Sequence, residues 1–404
     1  MSVSTSAEAS PPVFQPTSAV GRDGGRPKVV HITTTDMSLD LLLRPQLEAF
    51  AAAGYEVVAA SAPGRYVESI EAAGIRHIAL DNATRSMDPR SDLAGVWDLV
   101  RMMRRERPDV VHTHNPKPGW FGRIAARIAH VPVVINTVHG LYATPRDPWP
   151  RRAVVYSLER LASSFSDAEL VQNPEDVTAL RRLRIPADKL HVLGNGIDLT
   201  RFGPSDPATR ARVRAELGLA DDDVAIGAVG RLVWEKGLRE LFSAALELRR
   251  TAPNAKVLVV GPLDEAKTDG LGPAHVERIE AETGVRFIGE RRDIESIYAA
   301  LDIYVLASHR EGFPRSAMEA AATGLPVVAT NIRGCRQVVD HDVTGLLVPL
   351  GDGMALAAAL AKLAADAPLR EKFSNAAIDK ARREFDQRSV IRITLDTYER
   401  LLTP

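Results

Sequence analysis

DIYVLASHREGFPRSAMEAAATGLPVVATN, residues 302–331, decides the fold. It opens with a short apolar run rich in β-branched residues and passes through a loop carrying Glu311. A helical pattern follows from Pro314, a residue tolerated in the first turn of a helix. Gly324 and Pro326 supply a stop signal, and a second apolar run, PVVATN (326–331), comes next. Two such runs joined through one helix predict parallel strands with a right-handed crossover.

The same alternation extends in both directions. Upstream lie VAIGAVG (224–230), AKVLVVG (255–261) and VRFIGE (285–290), and downstream TGLLVP (344–349). A separate series precedes them: VVHITT (29–34), EVVAAS (56–61), RHIAL (76–80), DVVHTH (109–114), PVVINTVH (132–139) and AELVQN (168–173). Continuous Val/Ile runs, not strict alternation, mark strands covered on both faces. The expected class is α/β, with two tandem Rossmann-like doubly wound parallel sheets and a C-terminal helix crossing back to the first domain. Ligands of such sheets bind at the carboxyl ends of the strands, here where the two domains would face each other across a cleft. The expected boundaries are a disordered tail over 1–26, rich in Ser, Pro, Ala and Gly, a first domain over 27–200, a second over 201–385 and the returning helix over 386–404. The stretch from 194 to about 223, with its Gly, Pro and Asp clusters, reads as the connection between domains.

Composition narrows the function. A chain of 404 residues exceeds one ordinary core. A net charge of -1 and 5% aromatic residues argue against nucleic-acid binding. The single Cys335 cannot form an internal disulfide. No apolar run approaches the ~20 residues of a membrane span, and no secretory signal is evident. A cytoplasmic protein is expected, with peripheral contact at the inner face of the cell membrane left open. Residues 99–127 hold seven cationic side chains against two acidic ones, an excess suited to anionic lipid headgroups or to ordinary solvated helix faces.

Two motifs carry chemistry. Glu311 and Glu319 stand eight positions apart, one in the loop at a strand's end and one in the helix whose N-terminus attracts anions. GRLVWEKG (230–237) follows another strand, and its Arg231 and Lys236 supply a forked donor and a point charge for phosphate oxygens. Fixed cations there would stabilise a departing diphosphate. His139, at the end of PVVINTV, is a third candidate, although a lone histidine at a strand end is often structural. His112 and His114 share one strand face, but no third and fourth metal ligand follow at suitable spacing. Asp221 to Asp223 read as a solvated turn, and no metal site is expected.

Together these stretches, with FIGERRD (287–293) and VTGLLVP (343–349), resemble the family 4 retaining glycosyltransferases of the GT-B fold over nearly the whole chain. The resemblance implies transfer of a hexose or N-acetylhexosamine from a nucleotide diphosphate sugar, UDP-sugars being favoured, with no protein nucleophile, cofactor or metal. It assigns Glu311 to donor-sugar hydroxyls, Glu319 to the ribose, and Arg231 and Lys236 to the diphosphate, with Gly312 and Phe313 beside them. It places His139 near the reacting sugar, often acting through its backbone carbonyl. NTVHGLYATP (136–145) and SLERLAS (157–163) are similar to bacterial members acting on undecaprenyl-diphosphate-linked sugars, which implies a lipid-linked or small glycan acceptor in cell-surface polysaccharide or glycoconjugate synthesis.

The loop TTTDMSLDLLLRPQ (33–46) lacks the double glycine many members carry, and IRGCRQVVD (332–340) has Arg333 and Gln337 where many have Gly and Glu. Three other readings are an epimerase of the same fold, an inactive nucleotide-sugar-binding subunit and a two-domain oxidoreductase. The last lacks its G-x-G-x-x-G fingerprint.

Overall fold

A computed structural model of the chain describes residues 14–81, 89–114, 116–145, 147–264, 267 and 269–403. Their contacts divide the chain into two compact units, residues 1–194 with 388–404, and residues 195–387. The expected borders fell at 200/201 and 385/386.

The first unit holds seven parallel strands, β1 (Lys28–Thr35), β2 (Glu56–Ala62), β3 (Arg76–Ala79), β4 (Val110–His114), β5 (Val133–Val138), β6 (Ala168–Val171) and β7 (Leu190–Val192), in the order β3-β2-β1-β4-β5-β6-β7. Alternate residues point to opposite faces, so Val29 and Val30 enter different cores. Val29 packs with Leu47, Phe50 and Leu170, and against Val390, Ile391 and Tyr398 of the C-terminal helix Gln387–Leu402. Val30 packs with Val111, Val134, Met103 and Ala126. Burial on both faces explains the unbroken Val/Ile runs.

The expected disordered tail needs correction where it is described. Residues 1–13 lie outside the described set, but from Phe14 onward the segment is held in place. Thr17 N–H donates to the Ala53 carbonyl at 2.8 Å, Thr17 Oγ1 donates to Glu399 at 2.6 Å, and Arg26 donates to the carbonyls of Gly54 and Tyr55 at 3.0 Å each. Composition signals low apolar content but does not reveal these polar anchors.

The second unit has six parallel strands, β8 (Val224–Val229), β9 (Ala255–Val260), β10 (Arg286–Gly289), β11 (Ile303–Leu306), β12 (Val327–Thr330) and β13 (Gly345–Val348), ordered β10-β9-β8-β11-β12-β13. Both sheets are doubly wound, and strand order reverses between β1 and β4 and between β8 and β11. The stretch expected as a connection contains the helix Pro207–Glu216, capped by the Asp206 carboxylate accepting from Thr209 N–H at 2.9 Å. Its Arg214 is buried and donates to Asp302 at 3.1 Å. Among the described residues, no helix is long and apolar enough to cross a membrane.

Candidate active site

The reversal between β8 and β11 is where a doubly wound sheet opens a ligand crevice, and both motif loops of the second unit start there. The loop after β11 carries Glu311 into the helix Arg315–Thr323, which has Pro314 as its N-cap and Gly324, at φ +94°, as its left-handed C-cap. The loop after β8 ends in a short turn, Trp234–Lys236, followed by Gly237 at φ +71°. A Cβ at Gly237 would lie 1.9 Å from the Ala307 carbonyl oxygen, so only glycine lets this loop touch the end of β11. That approach lets Lys236 Nζ donate to Glu311 Oε1 at 2.7 Å.

Other expected donor-site residues occupy different surroundings. Arg231 Nη1 pairs with Asp264 at 2.5 Å, a partner the sequence reading missed. Together Gly230, Arg231, Lys236 and Ala307 border a cavity of about 20 Å³. Glu319 accepts from the Tyr298 hydroxyl at 3.1 Å with Arg315 Nε 3.9 Å away, and burial raises its pKa. Gly312 stays in the Glu311 loop. The Phe313 ring meets Phe385 edge-on at 6.0 Å, while its carbonyl accepts from Asn195 at 2.9 Å. Lys236 and Glu311 are thus in direct contact, whereas Arg231 and Glu319 each have a separate carboxylate or phenol partner.

A larger pocket, about 760 Å³, belongs to the first unit. Its lining includes Thr35, Lys117, Asn136, His139, Tyr142 and Arg151. The glycine-free loop after β1 runs straight into helical turns, with Asp36 accepting from the Tyr66 N–H at 2.7 Å, and Thr34, Thr35 and Ser38 reach the pocket wall. At its floor Arg123 is fully buried and pairs with Glu159 at 2.7 Å and Glu169 at 2.5 Å. Asn136 also donates to Glu169, at 2.8 Å, and Trp120 to Glu159, at 2.9 Å. Burial pushes the Glu169 carboxyl up against the opposing pull of Arg123. Sequence reasoning passed over this cluster, although an arginine within the apolar run GWFGRIAARI (119–128) was a usable signal.

The cationic excess over 99–127 does not survive as a free patch. Lys117 pairs with Asp92, Arg101 with Asp98, Arg127 with Asp167, and Arg123 with Glu159 and Glu169. Those five acids lie outside the window and match its excess of five. What the surface near the pocket does expose is Trp149, 75% accessible, and Tyr142, 51% accessible, with Val154 and Leu161 along the helix Trp149–Ser163.

His139 sits just past β5, its Nε2 lying 3.1 Å from His114 Nδ1 and its ring also bonded to the Gln172 side chain. Burial lowers its pKa to about 4. The expectation that His112 and His114 lack a third companion is corrected here. His31 of β1 is in register with His112 of β4, which sets His31, His112 and His114 within 4.8 Å of one another. Pairing across strands does this, and spacing along the chain cannot show it. His31 Nδ1 and His114 Nε2 are 3.0 Å apart, a hydrogen-bond distance. Two nitrogens on one tetrahedral zinc, at about 2.0–2.1 Å each, would stand roughly 3.4 Å apart.

Comparison with known proteins accords with this geometry. Residues 46–201 match the family described as Glycosyltransferase Family 4, and residues 209–380 match Glycosyl transferases group 1. The chain is 30% identical over 281 residues to the UDP-Gal:alpha-D-GlcNAc-diphosphoundecaprenol alpha-1,3-galactosyltransferase of Escherichia coli, covering 69% of this chain and 72% of that enzyme. It is 26% identical to the N,N'-diacetylbacillosaminyl-diphospho-undecaprenol alpha-1,3-N-acetylgalactosaminyltransferase of Campylobacter jejuni, covering 83% of this chain and 89% of that one. In fold it is similar to HepE of Anabaena, solved with UDP and glucose, at a TM-score of 0.78 and 23% identity over 92% of this chain and 99% of that one. With two doubly wound sheets and both halves of its length matched, the chain belongs to the family 4 glycosyltransferases of the GT-B fold.

Proposed function

We propose that this glycosyltransferase moves a hexose or N-acetylhexosamine, with retention, from a UDP-sugar to a glycan on a lipid diphosphate during cell-surface polysaccharide or glycoconjugate synthesis. The observation that carries the reading is the Lys236–Glu311 pair at the strand-order reversal, which joins the diphosphate-type loop to the sugar-type loop. In this scheme Lys236 and Arg231 take the diphosphate, exchanging their carboxylate partners for phosphate oxygens. Glu311 takes the sugar hydroxyls, Glu319 the ribose, and Gly312 and Phe313 border the donor. The bond from the anomeric carbon to the β-phosphate oxygen breaks and the acceptor hydroxyl bonds on the same face. Its proton passes to the leaving phosphate. No metal enters.

His139 contributes through its backbone carbonyl, since its ring is already bonded to His114 and Gln172. The pocket of the first unit receives the acceptor, and the exposed rings of Tyr142 on its wall and of Trp149, next in sequence to the lining residue Pro150, suit the inner face of the cell membrane, where amphipathic rings favour the interface. The named activities of the Escherichia coli and Campylobacter jejuni relatives support both substrate classes.

The test is a thermal-shift panel of nucleotide sugars, since a ligand binding only the native state raises the melting point. Transfer to an undecaprenyl-diphosphate-linked N-acetylhexosamine follows, in the presence of a chelator. UDP-sugars should shift the melting point, and the new linkage should keep the donor's anomeric configuration. Inversion, or strict loss of transfer in chelator, would overturn the scheme.

A further inference from the structure

Six side chains of the first unit's interior form an unbranched run of hydrogen bonds that ends on a seventh, Gln172. Thr137 Oγ1 lies 2.7 Å from His112 Nε2, and His112 Nδ1 lies 2.6 Å from the Tyr398 hydroxyl. That hydroxyl is 3.3 Å from His31 Nε2, His31 Nδ1 is 3.0 Å from His114 Nε2, and His114 Nδ1 is 3.1 Å from His139 Nε2. His139 then bonds the Gln172 side chain. Burial lowers the pKa of His31 to about 3, that of His139 to about 4, and those of His112 and His114 well below the usual histidine value. All four rings are therefore neutral near pH 7, and a neutral imidazole has one N–H and one lone pair. Fixing the direction of one bond fixes every other.

Tyr398 supplies the direction. It has one proton and two histidine neighbours, at 2.6 and 3.3 Å. Bonds donated by hydroxyl groups are the shorter kind, so the phenol donates to His112 Nδ1 and accepts from His31 Nε2–H. Its ring has little freedom to move, because Phe50 and Tyr55 meet it edge-on at 5.4 and 5.6 Å. From that point each step is forced. His112 donates from Nε2 to Thr137, His114 donates from Nε2 to His31 Nδ1, and His139 donates from Nε2 to His114 Nδ1.

We infer that all four histidines carry their proton on Nε2, and that Tyr398, brought by the C-terminal helix, is the positioning residue that imposes this order and so holds the His139 ring at the pocket. The consequence for transfer rests on the proposed place of His139 in the reaction. His139 and Gly140 both line the pocket, so a clamped ring fixes the peptide between them. A buried network acts as a unit when every member is satisfied.

Nitrogen-15 NMR of full-length protein labelled at histidine reads each tautomer directly, with His114→Asn and His139→Asn as assignment aids. Wild type should show Nε2–H at His31, His112, His114 and His139. In Tyr398→Phe the His31 N–H loses its acceptor, so His31, His114 and His139 should move to Nδ1–H while His112, still facing Thr137, keeps Nε2–H. Tyr55→Phe removes a neighbouring hydroxyl outside the run and should change none of them. If Tyr398→Phe fails to fold, Thr137→Val removes the opposite end and should invert all four. A wild-type His139 protonated on Nδ1 overturns the inference, as do unchanged tautomers at His31, His114 and His139 in Tyr398→Phe. A second readout is UDP release from UDP-galactose with an undecaprenyl-diphosphate-linked N-acetylglucosamine acceptor. Displacement of a positioned group should cost Tyr398→Phe about tenfold in kcat with the donor KM changed less than about twofold. Inverted tautomers with an unchanged kcat would support the proton order and remove His139 from the reacting centre.

Discussion

Lys236 and Glu311 satisfy each other at 2.7 Å. A single ion pair whose lysine still reaches solvent contributes about 0–1 kcal/mol to folding. Its removal should therefore show in catalysis and barely in stability. Glu311→Gln keeps the shape and deletes the charge. Transfer should fall on the order of 100-fold through lost positioning of the sugar, with an unfolding midpoint close to wild type. A variant retaining more than about a tenth of the rate would remove Glu311 from the proposed role. Gly334 offers a test without touching substrate. A Cβ there would lie 2.6 Å from the Glu311 carbonyl oxygen and 2.8 Å from its Cβ. Gly334→Ala must push the Glu311 loop aside, so it should lower transfer together with a stability loss of about 1–3 kcal/mol from overpacking. Unchanged kinetics in Gly334→Ala would mean that the loop position is not limiting.

At the scale of elements, the helix Pro116–Ile128 is tied by one side chain to both its neighbours, since Arg123 reaches Glu159 of the helix Trp149–Ser163 and Glu169 of β6. Breaking a buried ion network by deleting one partner costs about 3–5 kcal/mol. Arg123→Ala should lose that much in urea unfolding. Replacing Arg123, Glu159 and Glu169 together by apolar residues of similar volume should recover most of it. A loss below about 1 kcal/mol in the single variant would show that the acids relax or take up protons instead. This cluster also marks where sequence reading stops. Twelve of the strands were legible, most of them because doubly buried strands write themselves as Val/Ile runs; β3 and β10, only partly covered, were read from their place in the strand–helix alternation. β7, only LHV at 190–192, was not, because three residues carry no period. The loops around Lys236 and Glu311 were legible because strand, glycine and helix signals flank them. The acid partners of Arg123, the Asp264 partner of Arg231 and the His31 neighbour of His112 were not, because each is brought in by crossover or register from a distant stretch.

Across the molecule, the two units should answer acid in opposite senses. The first unit holds six histidines whose folded pKa values lie below the ordinary 6.5, with burial the first cause, and the four of the hydrogen-bonded run, His31, His112, His114 and His139, are among them. Above pH 6.5 both folded and unfolded forms are neutral and nothing changes. Below it the unfolded chain takes up protons that the folded chain refuses, so stability falls with pH from about 6.5 toward the folded values of about 3 to 4. Each such histidine contributes a slope of up to about 1.4 kcal/mol per pH unit, roughly 5 for the four. In the second unit burial raises the Glu319 pKa, so the folded form binds its proton more tightly and gains stability as pH falls through the raised value toward 4.5. Tryptophan reports on each separately: Trp120 is buried in the first unit and Trp234 lies in the second. In variants keeping only one or the other, the urea midpoint read by Trp120 should drop steeply between pH 7 and 5, and that read by Trp234 should hold. Adding His112→Asn to the Trp120 reporter should flatten its slope by about 1.4 kcal/mol per pH unit, one histidine's share. A Trp120 midpoint flat over that range would mean that the four rings take up protons in the folded state, and an interior that accepts those charges could not be the dry, ordered run of neutral imidazoles described above.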